Sequence, residues 1–151
     1  MRIRWFILSG LLLALAAPAM DRWAALSMLE SGDNDKAVGP GGEISRFQIQ
    51  RVLWADGDPT NSQTALATAQ EIMRARLVEF ESGHKRPATD FEFYILWNAP
   101  AYLLGKPEGS KIIPGRIAER AGRFVNLVQA DLKQTLKTNL VASSVSVTNA
   151  P

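Results

Sequence analysis

A carboxylate near the end of a predicted helix is the first residue of this chain that is placed to do chemistry. Glu30 closes a largely apolar, helix-like run, and a polar, Gly-rich segment from 32 to 42 follows it. A second glutamate, Glu43, follows that segment, before the alternating polar and apolar sequence 45–49. A helix end that faces a short irregular or hairpin segment can hold one acid in a cleft. These residue types at this spacing indicate general acid–base chemistry.

The helical periodicity around Glu30 predicts the state of that acid. Apolar residues recur with it at spacings of three and four, on one helix face: Trp23, Leu26 and Leu29. A carboxyl beside so much apolar surface should have a raised pKa, which a general acid needs near neutral pH. The alternative is that Glu30 is exposed in the last turn of the helix, as most Glu side chains are. Periodicity alone favours this alternative.

A second group of candidate residues ends another predicted helix. Thr89 and Glu92 form a capping box, and the apolar run 91–97 that they introduce predicts a buried central helix. The run ends in the sequence W-N-A-P, which contains Trp97 and Asn98. Asn98 can also be read as an ordinary residue of a helix C-terminus, and Trp97 as part of the core.

Together the two groups resemble motifs of the lysozyme-like superfamily, most closely its soluble lytic transglycosylase and goose-type lysozyme branch. The first motif of that branch reads roughly E-S-x-x-(N/D)-x-x-A-V-(S/G)-x-x-G-(A)-x-G-L-M-Q-I. The matching residues here are Glu30-Ser31, Asn34, Ala37-Val38, Gly41 or Gly42, and Gln48-Ile49. The second motif, A-Y-N-A-G, corresponds to W-N-A-P at 97–100. The chain departs from the pattern at 43–47, which lacks the second glycine, and at Pro100, which replaces a glycine.

The resemblance implies a mostly α (α+β), lysozyme-like domain over 20–135, with a short irregular or β-hairpin segment near 39–50 beside the cleft. It implies cleavage of the β-1,4 bond between N-acetylmuramic acid and N-acetylglucosamine in peptidoglycan glycan strands, giving a 1,6-anhydro product. Glu30 would act first as general acid and then as base, with no cofactor and no metal, and Trp97 and Asn98 would lie near it. The implied substrate-binding residues are Ser31, Gln48, Ile49, Tyr94, Trp97 and Asn98.

Three alternatives stay open at this point. Water could attack in place of the sugar's 6-hydroxyl, which would make the enzyme a muramidase. Most glycosidases use two carboxylates, and Glu43 is the candidate for the second. The chain could also be a noncatalytic sugar-binding or assembly protein on the same fold, which the altered segment 43–47 and Pro100 favour. The third alternative, a helical scaffold without a sugar site, explains the helices but neither motif.

Further helices are predicted around this site. Asp21 is expected to cap the first one. A helix over 62–81 has an apolar stripe, with Arg76 at its edge and the charged head of that residue in water. A last helix is expected at about 115–132. Its solvent-facing side is expected to contain three arginines: Arg116, Arg120 and Arg123.

Both ends of the chain are predicted to lie outside the folded domain. Residues 1–19 have the features of a secretory signal: a basic start, an apolar run and the small-residue cleavage site Ala17-Pro18-Ala19. Because the run is shorter than the roughly 20 apolar residues of a membrane span, we expect cleavage after Ala19 and an exported protein, periplasmic or secreted. The segment 136–151 is expected to be a flexible tail.

Charge and composition exclude several classes of function. The chain has 17 basic and 15 acidic residues. Arg2 and Arg4 account for the whole excess, so the processed chain is neutral and has no electrostatic footprint for nucleic acid. The absence of cysteine excludes disulfides. A zinc site would need the single histidine, His84, which we expect to be solvated in a polar loop. The sequence indicates no particular protein partner.

Overall fold

The computed structural model describes residues 21–104 and 112–130, and their regular structure is almost entirely helical. The helices are α1 (Arg22–Ser31), α2 (Ser62–His84), α3 (Asp90–Asn98) and α4, which covers 115–130 of the described part. Short 3-10 turns lie at Arg51–Leu53 and Pro100–Tyr102. The mostly α class is therefore confirmed. Each helix within the described ranges is too short or too polar to cross a membrane.

The boundaries proposed for the two ends of the chain fall beyond these ranges. The expected signal at 1–19 and the expected tail at 136–151 both lie outside the described residues. The last helix begins at 115, as predicted, whereas its predicted end near 132 lies outside the described part.

Helix α3 is the centre of the core, as its apolar run predicts. The four consecutive side chains at 93–96 are at most 2% exposed. Phe93 stacks on Phe124 of α4 with ring centroids 5.7 Å apart, and it meets Trp23 of α1 edge-on at 5.5 Å. Burial of a large side chain of this kind contributes roughly 1.5–3 kcal/mol. This packing places α3 against both α1 and α4.

Local residues fix where the helices begin. The capping box at the start of α3 is present, with Thr89 accepting from the Glu92 backbone and the Glu92 side chain accepting in return. Asn61 caps α2 by accepting from two backbone N–H groups of the first turn. The prediction for Asp21 is wrong in one respect: it occupies the N-cap position of α1 but makes no side-chain hydrogen bond there. Because Asp21 is exposed, water can solvate its carboxylate instead.

Helix α2 continues three residues further than predicted, to His84. It ends where Lys85 takes a left-handed conformation (φ 57°) and donates its N–H to the carbonyl of Glu81. The expectation that His84 is in a polar loop is therefore wrong, and its ring stacks on Phe80 at a centroid distance of 4.0 Å. The glycine at 83 does not break the helix, because one interior glycine costs only about 1 kcal/mol relative to alanine.

The segment between α1 and the first 3-10 turn is irregular, with isolated antiparallel bridges. These bridges pair Ile44 with Val38 and with Ile49. Ile44 and Ile49 exchange two backbone hydrogen bonds of 2.9 Å, which closes a tight loop of four residues. Within that loop Ser45 (φ 70°) and Gln48 (φ 51°) have left-handed backbones, a conformation that residues other than glycine seldom adopt. The loop holds Gln48 at the edge of the segment that faces the end of α3.

Candidate active site

A cavity of about 450 Å³ opens where the end of α1, the irregular segment, the end of α3 and the start of α4 meet. Six of the eight candidate site residues line it: Glu30, Glu43, Gln48, Ile49, Trp97 and Asn98. Glu30 and Asn98 are far apart in the chain, so only the tertiary fold brings them to one cleft. The expected proximity of the two motifs is therefore present in the structure.

Glu30 is nearly buried at one side of this cleft, with 7% of its side chain exposed. Arg120 Nη2 donates to its Oε2 at 2.8 Å, and the Tyr94 hydroxyl donates to its Oε1 at 2.9 Å. Arg120 Nε also donates to the Tyr94 hydroxyl oxygen at 2.6 Å. Both carboxyl oxygens therefore have a partner. We call these three residues, from α1, α3 and α4, the Glu30 cluster.

Burial has the largest influence on the pKa of Glu30 and raises it above the usual 4.5. The charge of Arg120 and the hydrogen bonds from Tyr94 and Arg120 lower the pKa without cancelling that rise, and the Glu43 carboxylate raises it further. The direction predicted from the helical periodicity is confirmed. Burial also raises the pKa of Tyr94 well above its usual value, so the phenol stays protonated and remains a donor to Glu30.

The prediction that three arginines of the last helix face solvent is wrong for Arg120. Its guanidinium points into the cleft and bonds to Glu30, while Arg123 is exposed as expected and Arg116 lines the cleft. The physical reason is the nearly buried carboxylate, which needs a cation or a proton. A signal for this role was present, because position 120 is three residues after Ile117 and four before Phe124, on the buried side of α4.

Arg76 corrects a second prediction. Its head does not lie in bulk water: Nη1 donates to the backbone carbonyls of Leu96 and Trp97, each at 2.8 Å. Burial lowers the pKa of Arg76. The last carbonyls of a helix have no partner within the helix, and Arg76 supplies one from α2. It thereby fixes the end of α3, where Trp97 and Asn98 enter the cleft.

We expect Arg76→Met to lower the free energy of unfolding by about 1–3 kcal/mol, because carbonyls at the end of α3 lose their donor. The control is Arg74→Met on the same helix, since Arg74 has 70% of its side chain exposed and pairs with Glu71. An exposed pair of this kind contributes about 0–1 kcal/mol. Urea unfolding of both variants checks the difference. Equal losses would contradict the anchoring role of Arg76.

Three residues expected to contact substrate have other positions. Tyr94 is 0% exposed, so it cannot touch a bound sugar; the expectation is wrong, and its hydroxyl belongs to Glu30. Ile49 is 2% exposed and forms the boundary between the core and the cavity. The Ser31 hydroxyl donates its one proton to the backbone carbonyl of Arg46 at 2.8 Å and accepts from the backbone N–H of residue 34. Ser31 thus ties the irregular segment to α1.

The remaining polar residues of the cleft lie on a glycine-rich backbone. Glu43 Oε2 accepts from the Gly41 N–H at 2.9 Å, and Gln48 Nε2 donates to a backbone carbonyl at 3.0 Å. A Cβ atom at Gly39 or Gly41 would clash with the Glu43 carboxylate, so these glycines let that side chain lie flat on the loop. Asn98 is exposed and lines the same cavity. The cleft therefore combines a nearly buried acid, a second carboxylate and two amides.

Comparison with known proteins adds no relative. No family model matches the chain, and no curated protein or solved structure matches it. Within the described ranges, no group of three or more His, Asp and Glu side chains could hold a metal ion. The function must therefore be inferred from the two motifs and from the chemistry of the cleft.

Proposed function

We propose that this protein is an exported peptidoglycan lytic transglycosylase with a lysozyme-like domain, in which Glu30 is the general acid and base. One observation carries the proposal: a nearly buried carboxyl with a raised pKa borders a cleft that is also lined by the amides of Gln48 and Asn98. A protonated acid beside groups that can hydrogen-bond sugar hydroxyls is what cleavage of a glycosidic bond requires.

In the first step, Glu30 donates its proton to the oxygen of the β-1,4 bond. The bond between that oxygen and C1 of N-acetylmuramic acid breaks, and the acetamido oxygen of the same sugar stabilises the positive charge at C1. In the second step, the Glu30 carboxylate removes the proton from the 6-hydroxyl of that sugar. The oxygen of this 6-hydroxyl attacks C1 at the same time. The product has a 1,6-anhydro ring, no water is consumed, and Glu30 regains its proton.

The Glu30 cluster suits an acid that must exist in both forms. Burial favours the protonated form that starts the reaction, whereas Arg120 and Tyr94 stabilise the carboxylate that forms halfway through. We assign Gln48 and Asn98 to hydrogen bonds with sugar hydroxyl and acetamido groups, and Trp97 to the apolar face of a sugar ring.

A muramidase is the second candidate, and the position of Glu43 favours it. The Glu43 carboxylate lines the same cavity as Glu30 and is held by the Gly41 backbone. A second carboxylate across a glycosidase cleft can activate water or stabilise charge. In that case water attacks C1, and the product has an ordinary reducing end.

Digestion of purified peptidoglycan with the processed protein, followed by mass spectrometry of the products, tests the proposal. We expect products that end in 1,6-anhydro-muramic acid, each lighter by one water than the hydrolysis product. Reducing ends would instead favour the muramidase. Retained binding without products would indicate a sugar-binding protein, and neither binding nor products would indicate a scaffold. A parallel digestion with the Glu30→Gln variant serves as the blank.

A further inference from the structure

We propose that Arg116, together with Arg120, forms a carboxylate-binding subsite in the cleft, so that the bound glycan carries a carboxylate beside the bond that is cleaved. The inference rests on the proposed function and identifies a carboxylate of peptidoglycan as the group by which the cleft recognises its substrate. Neutral chitin-type glycans of the same backbone would lack the group that this subsite binds.

Arg116 is the cation in the cleft that has no protein partner in the described part of the chain. It lies in the first turn of α4, is exposed, and lines the same cavity as Glu30. Within the described ranges its guanidinium makes no hydrogen bond or ion pair. Arg76 and Arg120 also line the cavity, but the first donates to carbonyls of α3 and the second to Glu30 and Tyr94.

The charge balance of the cleft changes when the reaction begins. Its described lining has three arginines and two carboxylates, Glu30 and Glu43. Glu30 must be protonated to act as an acid, and Arg120 then loses the negative charge with which it pairs. The reactive form of the site therefore has three cations facing Glu43 alone. A partly buried cation without an anionic partner is unfavourable. Because only 30% of the Arg120 side chain is exposed, this form favours an anionic ligand.

A carboxylate is the anion that muramic acid glycans can supply. Guanidinium groups bind carboxylates through two parallel hydrogen bonds. The lactyl group of N-acetylmuramic acid is a free carboxylate when no peptide is attached, and an attached stem peptide carries carboxylates of its own. Either source would lie close to the scissile bond, whereas a glycan of N-acetylglucosamine alone has none.

The bound carboxylate and Glu30 would compete for Arg120. When the ligand pairs with Arg116 and Arg120, Glu30 shares its cationic partner with a second anion and gains a nearby negative charge. Both changes favour the protonated form of Glu30, which is the form that donates to the glycosidic oxygen. Substrate binding thus prepares the acid for the first step, and a neutral glycan would not do so.

Binding to a cleavage-deficient protein tests this subsite. In a Glu30→Gln background, affinities are measured for three tetrasaccharides: a peptide-free muramic acid glycan, the same glycan with stem peptides, and chitotetraose. Adding Arg116→Gln should weaken binding of a carboxylate-bearing probe about tenfold, as loss of a charge-assisted hydrogen bond predicts, and should leave chitotetraose unchanged. Adding Arg123→Gln, an exposed arginine of the same helix outside the cavity, should change none of the affinities.

The outcomes separate the two carboxylate sources and separate the subsite from the proposed function. A loss confined to the peptide-free probe supports the lactyl carboxylate, and a loss confined to the peptide-bearing probe supports the stem. No loss with either probe, or an equal loss with chitotetraose, overturns the subsite even if the parent protein cleaves peptidoglycan. Conversely, selective loss in a protein whose parent form cleaves nothing supports the subsite and removes the proposed chemistry.

Discussion

Replacing Glu30 with glutamine should lower the rate of peptidoglycan cleavage by about a hundredfold to ten-thousandfold, the usual contribution of general acid–base catalysis. Glutamine keeps the shape and nearly the volume of the side chain but has no acidic proton. Tyr94 can still donate to the amide oxygen. The amide NH2 then faces the Arg120 guanidinium, another donor, so Arg120 should turn towards water while the packing of Tyr94 and residue 30 survives. The measurement is turnover of purified peptidoglycan, with products quantified after reduction and chromatography.

The same variant should fold, and its stability should respond less to pH. Because the folded-state pKa of Glu30 is raised above 4.5, the folded protein binds more protons than the unfolded chain between the two pKa values. The free energy of unfolding therefore falls as pH rises through that window. Glu30→Gln removes this fall in the free energy of unfolding, because glutamine does not titrate. Thermal melting of the parent and the variant at acid and at neutral pH checks the difference. A folded variant that cleaves at nearly the parent rate would remove Glu30 as the acid.

Glu43→Gln is the matched control for this experiment. It removes the other carboxylate of the described cavity lining while keeping side-chain volume. If Glu30 works alone, activity should fall only mildly, through the altered bond to the Gly41 N–H. If both variants lose activity severely, two carboxylates cooperate and the muramidase is favoured.

Arg120→Gln should lower the free energy of unfolding by about 1–3 kcal/mol at neutral pH. It takes the cationic partner away from a carboxyl that is 7% exposed. Loss of a fully buried pair would cost more, but 30% of the Arg120 side chain is exposed and water can screen part of the effect. Arg123→Gln, an exposed position on the same helix, controls for the general effect of losing an arginine from α4.

The deficit of Arg120→Gln should depend on pH in a defined direction. Arg120 lowers the pKa of Glu30, so its removal raises that pKa further. The variant keeps its stability below about pH 4.5, where Glu30 is protonated in both the folded and the unfolded protein. It loses stability as the pH rises through the folded-state pKa of Glu30. Urea unfolding should therefore show a small deficit at acid pH and a larger one at neutral pH.

Adding Glu30→Gln to Arg120→Gln should recover part of the stability, because the uncompensated carboxylate is gone. The difference between the double variant and the two single variants measures the coupling of the pair. A deficit that is independent of pH, or a double variant with simply additive losses, would show that Arg120 acts through packing and not through the charge of Glu30.

The parts of this molecule that follow local rules can be predicted from the sequence. The capping box at Thr89 and the unbroken apolar run behind it define α3 without reference to any distant residue. Glu30 can be assigned to an apolar helix face because it follows Leu26 by four residues and Trp23 by seven, spacings that place the three on one side of a helix. The end of α2 cannot be predicted in this way, because it depends on the left-handed backbone of Lys85, which the residue type does not dictate.

The hydrogen-bond partners of the cleft residues also cannot be predicted from the sequence. Arg76 and Arg120 are long enough to reach groups on other helices, and both bond to residues from a different part of the chain. From sequence, each looks like a charge at the edge of an apolar stripe, which is normally solvated. The resemblance predicts that Tyr94 contacts substrate, but packing against Phe124 places the ring in the core.

The place where α1 stops has a consequence for Glu30 that no neighbouring side chain supplies. Glu30 lies in the last turn of that helix, which Gly32 terminates in a left-handed conformation. The aligned peptide dipoles of a helix leave partial negative charge at its C-terminal end, which disfavours an anion there. This influence comes from the backbone, so it persists when Arg120, Tyr94 or Glu43 is replaced. The length of α1 thus also favours the protonated form of Glu30.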